Sequence, residues 1–582
     1  MKIYIVQGSK LNSKLNSKLN SIEKYCYIGS NVDKAIKLKK KVPKDLESLD
    51  YSEVFHKIQY DYRDKYINFI DKFERQNNDK WWATRLAGKN TRASSFYLRF
   101  AHTKLVEHII DNERQKETKS IVFFIEEKCT YLALSSSLKN DFQSYKTINL
   151  ENYDWIIKII RGYIRRLACF FKYAKDQYKL KSHFSSLKPC KKKYNELTFV
   201  FTFIDSRSFR EKGYHEHFLG KALGDEPKNL IIVPVFIKAN KKELLLFRSW
   251  LQDNKFHVLH PISIVGATKL LIWSLKGLVQ TWKKSQNVSF EGIEVKDIIN
   301  YERIEEWSDF NLTRNIFSEL GKQIIKFNAE KMKVIYPFEN QIWERELLNS
   351  INSQDNVIVH AIQNAPSPYL YMQHYFCKEF KNEFPRPDKL FVNGQVSYEN
   401  LKEFFENIVI DGSKRTVIKN LKDSNNVEKQ NNIFLGCSIS TKETKALIAF
   451  VHSSLAGQFH YNVSILPHPL CSLDFKSFLR KINAPENFKI VSNLEECMKK
   501  NQFLVFDCST IGLEGLLNGL TPINVFQTYS LHINPSEYDL KYTKKVFSKE
   551  SFLNVISQPQ LSQIDLEKGK EVALKYYNFN VE

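Results

Sequence analysis

The 9 cysteines of this 582-residue chain form no Cys-x-x-Cys pair and no short dense framework. That excludes a zinc ribbon and a secreted disulfide scaffold, and it fits a reducing compartment. No stretch supplies 18 uninterrupted apolar residues, so no simple membrane span is expected. Also missing are a Gly-x-Ser-x-Gly elbow, a His-Glu-x-x-His helix and a Gly-rich phosphate cradle. The usual hydrolase and metalloprotease signals are therefore absent. The start, MKIYIVQGSKLNSKLN, has too short an apolar run for a signal peptide and reads as a strand leading into a loop. The expected location is the cytoplasm.

What the chain does have is positive charge and material for cores. A hydrophobic fraction of 43% with 13% aromatics argues against wholesale disorder. The net charge of +22 favours a polyanionic partner, whether nucleic acid, an anionic membrane or phosphorylated substrates, although biased composition also contributes. Two segments, residues 154 to 173 (DWIIKIIRGYIRRLACFFKY) and 261 to 284, combine an apolar face with Lys and Arg. Each fits either a helix packed on the protein's own core or one lying at a membrane surface.

The length suggests two to four domains, on a prior of roughly 100 to 200 residues each. The triplicate SKLN at residues 9 to 20 is too short for a solenoid and carries no inferred chemistry. Residues 79 to 110 become helical toward their end. Apolar runs separated by helical intervals then predict strands at 120–125, 197–204, 229–236, 332–336, 356–360 and 388–392. After the polar stretch 419–432 a second series follows, at 432–436, 462–466, 488–492, 503–507 and 522–526. Buried parallel strands covered by helices read this way. The expected architecture is α/β, with two Rossmann-like domains facing a cleft: residues 1–395 with helical elaborations, then residues 396–582.

Two motifs in the second domain carry chemistry. The strand at 462–466 runs into Pro467, His468 and Pro469, at the edge where parallel sheets bind ligands; a rigid surface turn accounts for the same residues. FLVFDCSTIGLEGLLNGLTPINVF, residues 503 to 526, reads as strand, Ser509-Thr510 turn, helix and strand. Hydroxyls and N–H groups at such a helix start bind phosphate or carboxylate, and Glu514 on the helix either joins that pocket or is merely solvated.

These motifs resemble the donor half of GT-B glycosyltransferases of bacterial surface carbohydrate synthesis, especially those using CMP-activated acidic sugars such as nonulosonates or Kdo. The resemblance implies that His468-Pro469 contacts the donor phosphate and assists departure of CMP, and that Ser509 and Thr510 hold the cytidylate or donor carboxylate. Teichoic-acid-type polyol-phosphate transferases share a similar signal. KVIYPFENQIWERELLNSI (333 to 351), VHAIQNAPSPYLYMQHYF (359 to 376) and FPRPDKLFVNGQ (384 to 395) are similar to segments of surface carbohydrate transferases. DSRSFREKGYHEHFLGKAL (205 to 223) and WWATRLAGKN (81 to 90) resemble outlying motifs of that group.

On the acceptor side, Glu339 follows an apolar strand and a Pro-Phe turn, which suits a general base for an acceptor hydroxyl; an ion pair orienting a helix is the other reading. Asp205, also at a strand end, competes for that role. Asn340 binds acceptor or orients Glu339, His360 is read as ending a strand at the cleft, where it meets donor or acceptor or is a hydrogen-bonded structural His, and Trp343 stacks on sugar or packs its helix. Arg207 and Arg210 form a phosphate- or carboxylate-binding patch near His215 and His217, whose His-x-His spacing is insufficient for zinc. No metal and no cofactor beyond the nucleotide-sugar substrate are expected, and no Asp-x-Asp is evident where a metal-dependent GT-A enzyme would use one. The reading is a metal-independent glycosyltransferase moving an acidic sugar from a CMP donor to a surface-glycan or glycolipid acceptor, in lipopolysaccharide or capsule assembly, peripheral to the inner membrane face. Its alternatives are a CDP-glycerol or CDP-ribitol polyol-phosphate transferase and a non-enzymatic nucleic-acid or membrane-binding protein; no clear RNA motif favours the last.

Overall fold

A computed structural model describes residues 1–8, 19–73, 84–138, 143–146, 154–183, 193–204, 208–210, 213–214, 229–237, 240–254, 256–259, 268–269, 271–272, 274–275, 288–309, 312–352, 354–412, 432–458, 460–534, 542–558 and 561–577. Their strands assemble into three parallel sheets and two short antiparallel pairs. In chain order the strands are β1 (Lys2–Gln7), β2 (Lys24–Ile28), β3 (Glu47–Ser48), β4 (Ser120–Ile125), β5 (Gln143–Lys146), β6 (Tyr194–Ile204), β7 (Phe209–Arg210), β8 (Gly213–Tyr214), β9 (Leu230–Ile237), β10 (His257–Val258) and β11 (Ser289–Phe290). They continue with β12 (Ile293–Glu294), β13 (Ala329–Phe338), β14 (Val357–Gln363), β15 (Lys389–Val392), β16 (Ile408–Ile410), β17 (Asn432–Gly436), β18 (Asn462–Leu466), β19 (Phe488–Ile490), β20 (Phe503–Phe506), β21 (Thr521–Val525) and β22 (Lys544–Val546).

The first sheet has the order β3-β2-β4-β1-β5, the second β10-β9-β6-β13-β14-β15-β16 and the third β19-β18-β17-β20-β21-β22. The second and third are doubly wound: the chain starts in the middle, moves to one edge, then returns to the centre and moves to the other. Their strand order reverses between β6 and β13, and between β17 and β20. Such reversals open a crevice at the carboxyl ends of the two central strands. Strands buried on both faces require continuous apolar runs, which Phe199, Val200 and Phe201 of β6 and Leu504, Val505 and Phe506 of β20 provide, all fully buried.

The α/β expectation is met, with an addition. Residues 1–395 hold two separate sheets, and the second sheet extends past residue 395 through β16. The C-terminal helix Gln563–Tyr576 crosses back so closely that a Cβ on Gly394 would meet the Lys575 carbonyl at 2.5 Å. The third-sheet unit also touches the first: Lys445 pairs with Asp33 at 2.6 Å, Lys481 pairs with the same carboxylate, and His102 Nε2 lies 2.8 Å from the Thr528 carbonyl.

The basic segment 154 to 173 lies in one helix, Asp154–His183, packed on its inner side against the helix Lys296–Ser308. Most of 261 to 284, and the polar stretch 419 to 431, lie outside the described residues.

Candidate functional site

The third sheet offers its crevice where Gly436 ends β17 and Phe506 ends β20. Beyond β20, Asp507 and Cys508 are buried, and Ser509 and Thr510 are half-buried before the helix Ile511–Leu517. The Ser509 hydroxyl accepts the Ile511 N–H at 3.2 Å, which shapes the turn. Two glycines bring this helix against its own strand. A Cβ on Gly512 would stand 2.3 Å from the Phe506 ring, and one on Gly515 would stand 2.4 Å from Leu504. The sequence IGLEG thus sets the Ser-Thr turn directly over the strand end. Glu514, on the same short helix, is half-buried.

Across the reversal, β17 leads through buried Ser438 to the helix Thr441–Ser454, capped by Ser440, whose hydroxyl accepts the Glu443 N–H at 3.4 Å. Ser438 also donates to the Glu443 carboxylate. Burial raises the affinity of Glu443 for its proton, opposed by Arg92 and reinforced by the Asp507 charge.

His468 follows β18, the neighbour of β17 on its other side, and is half-buried; Pro469 is exposed. Its Nδ1 accepts the Leu470 N–H at 3.1 Å, and its carbonyl accepts the Cys471 N–H at 2.9 Å. In the neutral ring this geometry puts the proton on Nε2. The loop is tied to the helix after β17, because Thr441 Oγ1 meets Ser472 Oγ at 3.3 Å.

The second sheet's reversal lies between β6 and β13, where Ile204 and Phe338 are the last strand residues. Glu339 therefore emerges at this crevice with an exposed side chain, and Gln341 donates to its carboxylate. Its backbone is fixed. The Glu344 carboxylate accepts N–H groups from Glu339 at 3.1 Å, Asn340 at 2.9 Å and Gln341 at 2.9 Å. The Glu339 carbonyl accepts from Gln373 Nε2 at 2.6 Å and meets His374 Nε2 at 3.0 Å. Burial lowers His374 to about 3, so this ring is neutral and its Nε2–H is the donor.

Several expected site residues stand elsewhere. Asn340 adopts a left-handed φ of 51° and turns its amide inward, donating to the Gln373 carbonyl at 2.6 Å. It is 3% exposed, so it holds the turn that carries Glu339 and does not reach an acceptor. His360 does not end its strand: it pairs with Ile335 and Lys389 in mid-β14, three residues before Gln363. Burial and the neighbouring charges of Lys333 and Lys389 lower it to about 4, and its ring stands 5.3 Å from Phe391. Trp343 packs in the core, 4.6 Å from the Phe317 ring. Asp205, Arg207, His215 and His217 lie outside the described residues, as does the side chain of Arg210, whose backbone is in β7.

The link between the two crevices comes from residues the sequence did not flag. Arg92 donates to the Cys508 carbonyl at 3.4 Å and lies 3.8 Å from Glu443. Tyr371 feels the charges of both Glu339 and Arg92, and burial above all raises its phenol well above the ordinary range. Thr91, beside Arg92, donates to the Leu370 carbonyl at 3.0 Å, which ties the Cys508 side to the segment whose Gln373 holds the Glu339 carbonyl. Residues 84–90 of the WWATRLAGKN segment belong to the same wall, since Arg345 donates to the Ala87 carbonyl at 2.9 Å and to the Gln373 carbonyl at 3.1 Å, while residues 81–83 lie outside the described residues.

Beneath the Ser-Thr turn, Asp507, Cys508 and His532 bring a carboxylate oxygen, a sulfur and a ring nitrogen within 4.8 Å, all buried. Among the described residues this is the one group with the composition to hold a metal ion. As it stands the carboxylate is served by protein groups: Cys508 Sγ donates to Asp507 at 3.1 Å, and His532 Nδ1 lies 3.3 Å from the same oxygen. Burial pushes the Cys508 thiol well up, and the Asp507 and Glu443 charges add to it, so the sulfur keeps its proton. His532 is anchored from the first-sheet unit, its N–H donating to Gln59 Oε1 at 2.9 Å.

No protein-family profile matches this sequence, and no curated protein matches it. Solved structures resemble it at low identity. A mutant of S. aureus TarM, in complex with Fondaparinux, alpha-GlcNAc-glycerol and UDP, is 10% identical, with 66% of this chain and 97% of that one covered and a TM-score of 0.38. The glycotransferase of kitacinnamycin is 7% identical, with coverages of 65% and 95% and a TM-score of 0.37. The UDP-GlcNAc 2-epimerase from Neisseria meningitidis, bound to UDP-GlcNAc, is 12% identical, with coverages of 65% and 94% and a TM-score of 0.35.

Proposed function

We propose that this chain is a glycosyltransferase that binds a nucleotide-activated sugar at the carboxyl edge of its third sheet and an acceptor at that of its second. The observation that carries the reading is the pairing of two strand-order reversals across Arg92, which donates to the Cys508 carbonyl, and its neighbour Thr91, which donates to the Leu370 carbonyl, with Ser509-Thr510 beyond one reversal and Glu339 beyond the other. The Ser509 and Thr510 hydroxyls and the turn's N–H groups hold the donor, and Glu514 borders it. His468 donates through Nε2 to the leaving phosphate oxygen. Glu339 removes the proton from the acceptor hydroxyl as that oxygen bonds to the anomeric carbon and the bond to the nucleotide phosphate breaks. Asp205 is the second candidate for base, and Arg207 and Arg210 for binding acceptor anions.

The donor is a CMP-linked acidic sugar and the acceptor a surface glycan or glycolipid met at the membrane face. This choice rests on the likeness of LPHP and DCSTIGLEG to CMP-sugar transferases, and the chain's net charge of +22 suits an anionic donor. A thermal-shift panel of CMP-, CDP- and UDP-linked donors, followed by product mass, tests it. CMP-sugar stabilisation with sugar added to acceptor supports the reading. Phosphate carried over with a polyol identifies a CDP-polyol transferase, and failure of every nucleotide overturns the proposal.

A further inference from the structure

The helix Asp154–His183 carries an apolar stripe that the fold leaves uncovered. Ile157, Ile160, Ile164, Leu167, Phe171 and Tyr178 follow one another at spacings of three, four, three, four and seven residues, and all are exposed, Ile164 at 63% and Phe171 at 67%. A 3.5-residue repeat keeps them in one line, about 32 Å long at 1.5 Å per residue.

This orientation is locked from behind. The Arg166 guanidinium stacks on Trp307 at 3.4 Å and donates to the Trp307 carbonyl at 2.8 Å, while Trp307 Nε1 donates to the Ile159 carbonyl at 3.2 Å. Lys158 pairs with Glu305 at 3.2 Å. Gly162 permits the approach, since a Cβ there would stand 2.3 Å from Trp307 Nε1. The helix cannot roll its stripe inward without breaking these contacts.

Charge identifies the occupant. The helix sequence holds eight Lys and Arg against two Asp, and Arg161, Lys172 and Lys175 are exposed along one flank of the stripe. A second copy docking here would add another positive flank to a chain already at +22. An anionic lipid surface neutralises that flank and accepts the apolar side chains of the stripe.

We propose that the outer face of the helix Asp154–His183 docks on an anionic bilayer, its Ile157-to-Tyr178 stripe inserted at the headgroup boundary. This deepens the membrane-face part of the proposed function, and the test needs neither donor nor acceptor. The full chain is sedimented with vesicles of phosphatidylglycerol and phosphatidylcholine, or of phosphatidylcholine alone. The wild type is expected to bind the anionic vesicles and not the neutral ones. The double variant Ile164→Asp/Phe171→Asp loses about tenfold or more, and Arg161→Gln/Lys172→Gln loses about 25-fold, near fivefold per charge. Melting temperatures stay unchanged, because all four side chains are exposed. Equal binding to both vesicles, or to neither, overturns the proposal. So does a vesicle-free wild-type dimer that Ile164→Asp/Phe171→Asp converts to monomer, which would assign the stripe to a second copy.

Discussion

Replacing Glu113 by Gln isolates one carboxylate that ties the first sheet together. Glu113 lies in the last turn of the helix Phe96–Gln115 with its side chain 0% exposed. It accepts from Lys24 Nζ of β2 at 2.8 Å, Tyr51 Oη at 2.6 Å, Thr118 Oγ1 at 2.6 Å and Lys116 Nζ at 3.2 Å. Burial alone would raise its affinity for a proton, but these donors, Lys24 foremost, win and hold it at about 2, against an ordinary 4.5. The folded state therefore binds this proton less readily than the unfolded chain. The resulting stability is fully present above about pH 4.5 and is lost as pH falls toward 2. At 1.36 kcal/mol per pK unit the shift corresponds to roughly 3 kcal/mol at neutral pH, and because Lys116 is solvated about 2 to 3 kcal/mol is the better expectation. Gln keeps the size and removes the charge. Urea unfolding of wild type and Glu113→Gln should differ by that amount at pH 7 and by less than half of it near pH 3. A gap unchanged between the two pH values would show that the Glu113 contribution does not come from ionisation.

Gly512→Ala should abolish donor-induced thermal stabilisation while costing about 1 to 3 kcal/mol of stability, because the new methyl meets the Phe506 ring and displaces the Ser-Thr turn; retained donor binding would count against that turn. Gly162→Val should lower stability by about 2 kcal/mol or more, read by denaturation, since Trp307 occupies the space its side chain needs. His56 and His374, lowered mainly by burial to about 2 and about 3, should show no ring titration by NMR between pH 5 and 8. Unfolded imidazoles take up protons below about 6.5, so these two contribute stability that is complete above that pH and falls as acid is added.

Much of the two doubly wound sheets was legible because buried parallel strands need uninterrupted apolar runs. The segment expected at 462–466 coincides with β18, and that expected at 503–507 overlaps β20 with one residue less. The first sheet was harder to see. KYCYI of β2 carries one Lys and two Tyr in place of a continuous aliphatic run, and β3 is only two residues long, so neither announces a separate sheet. Within the site, His468 and the Ser509-Thr510 turn could be read locally from proline, hydroxyl and glycine spacing. His360 was misplaced because the strand's end was set three residues short. Arg92 could not be found this way: its carbonyl partner, Cys508, lies 416 positions along the chain, and Arg92 itself carries no local motif. The same holds for His532, whose position depends on Gln59.

One transfer reaction at the facing edges of the second and third sheets is the central proposal. The most direct measurement is the rate at which Glu339→Gln and His468→Ala, each with wild-type melting temperature, move sugar from a CMP-linked acidic donor to acceptor. Each variant should lose roughly 100-fold to 10,000-fold. Transfer at the wild-type rate by both folded variants would contradict it.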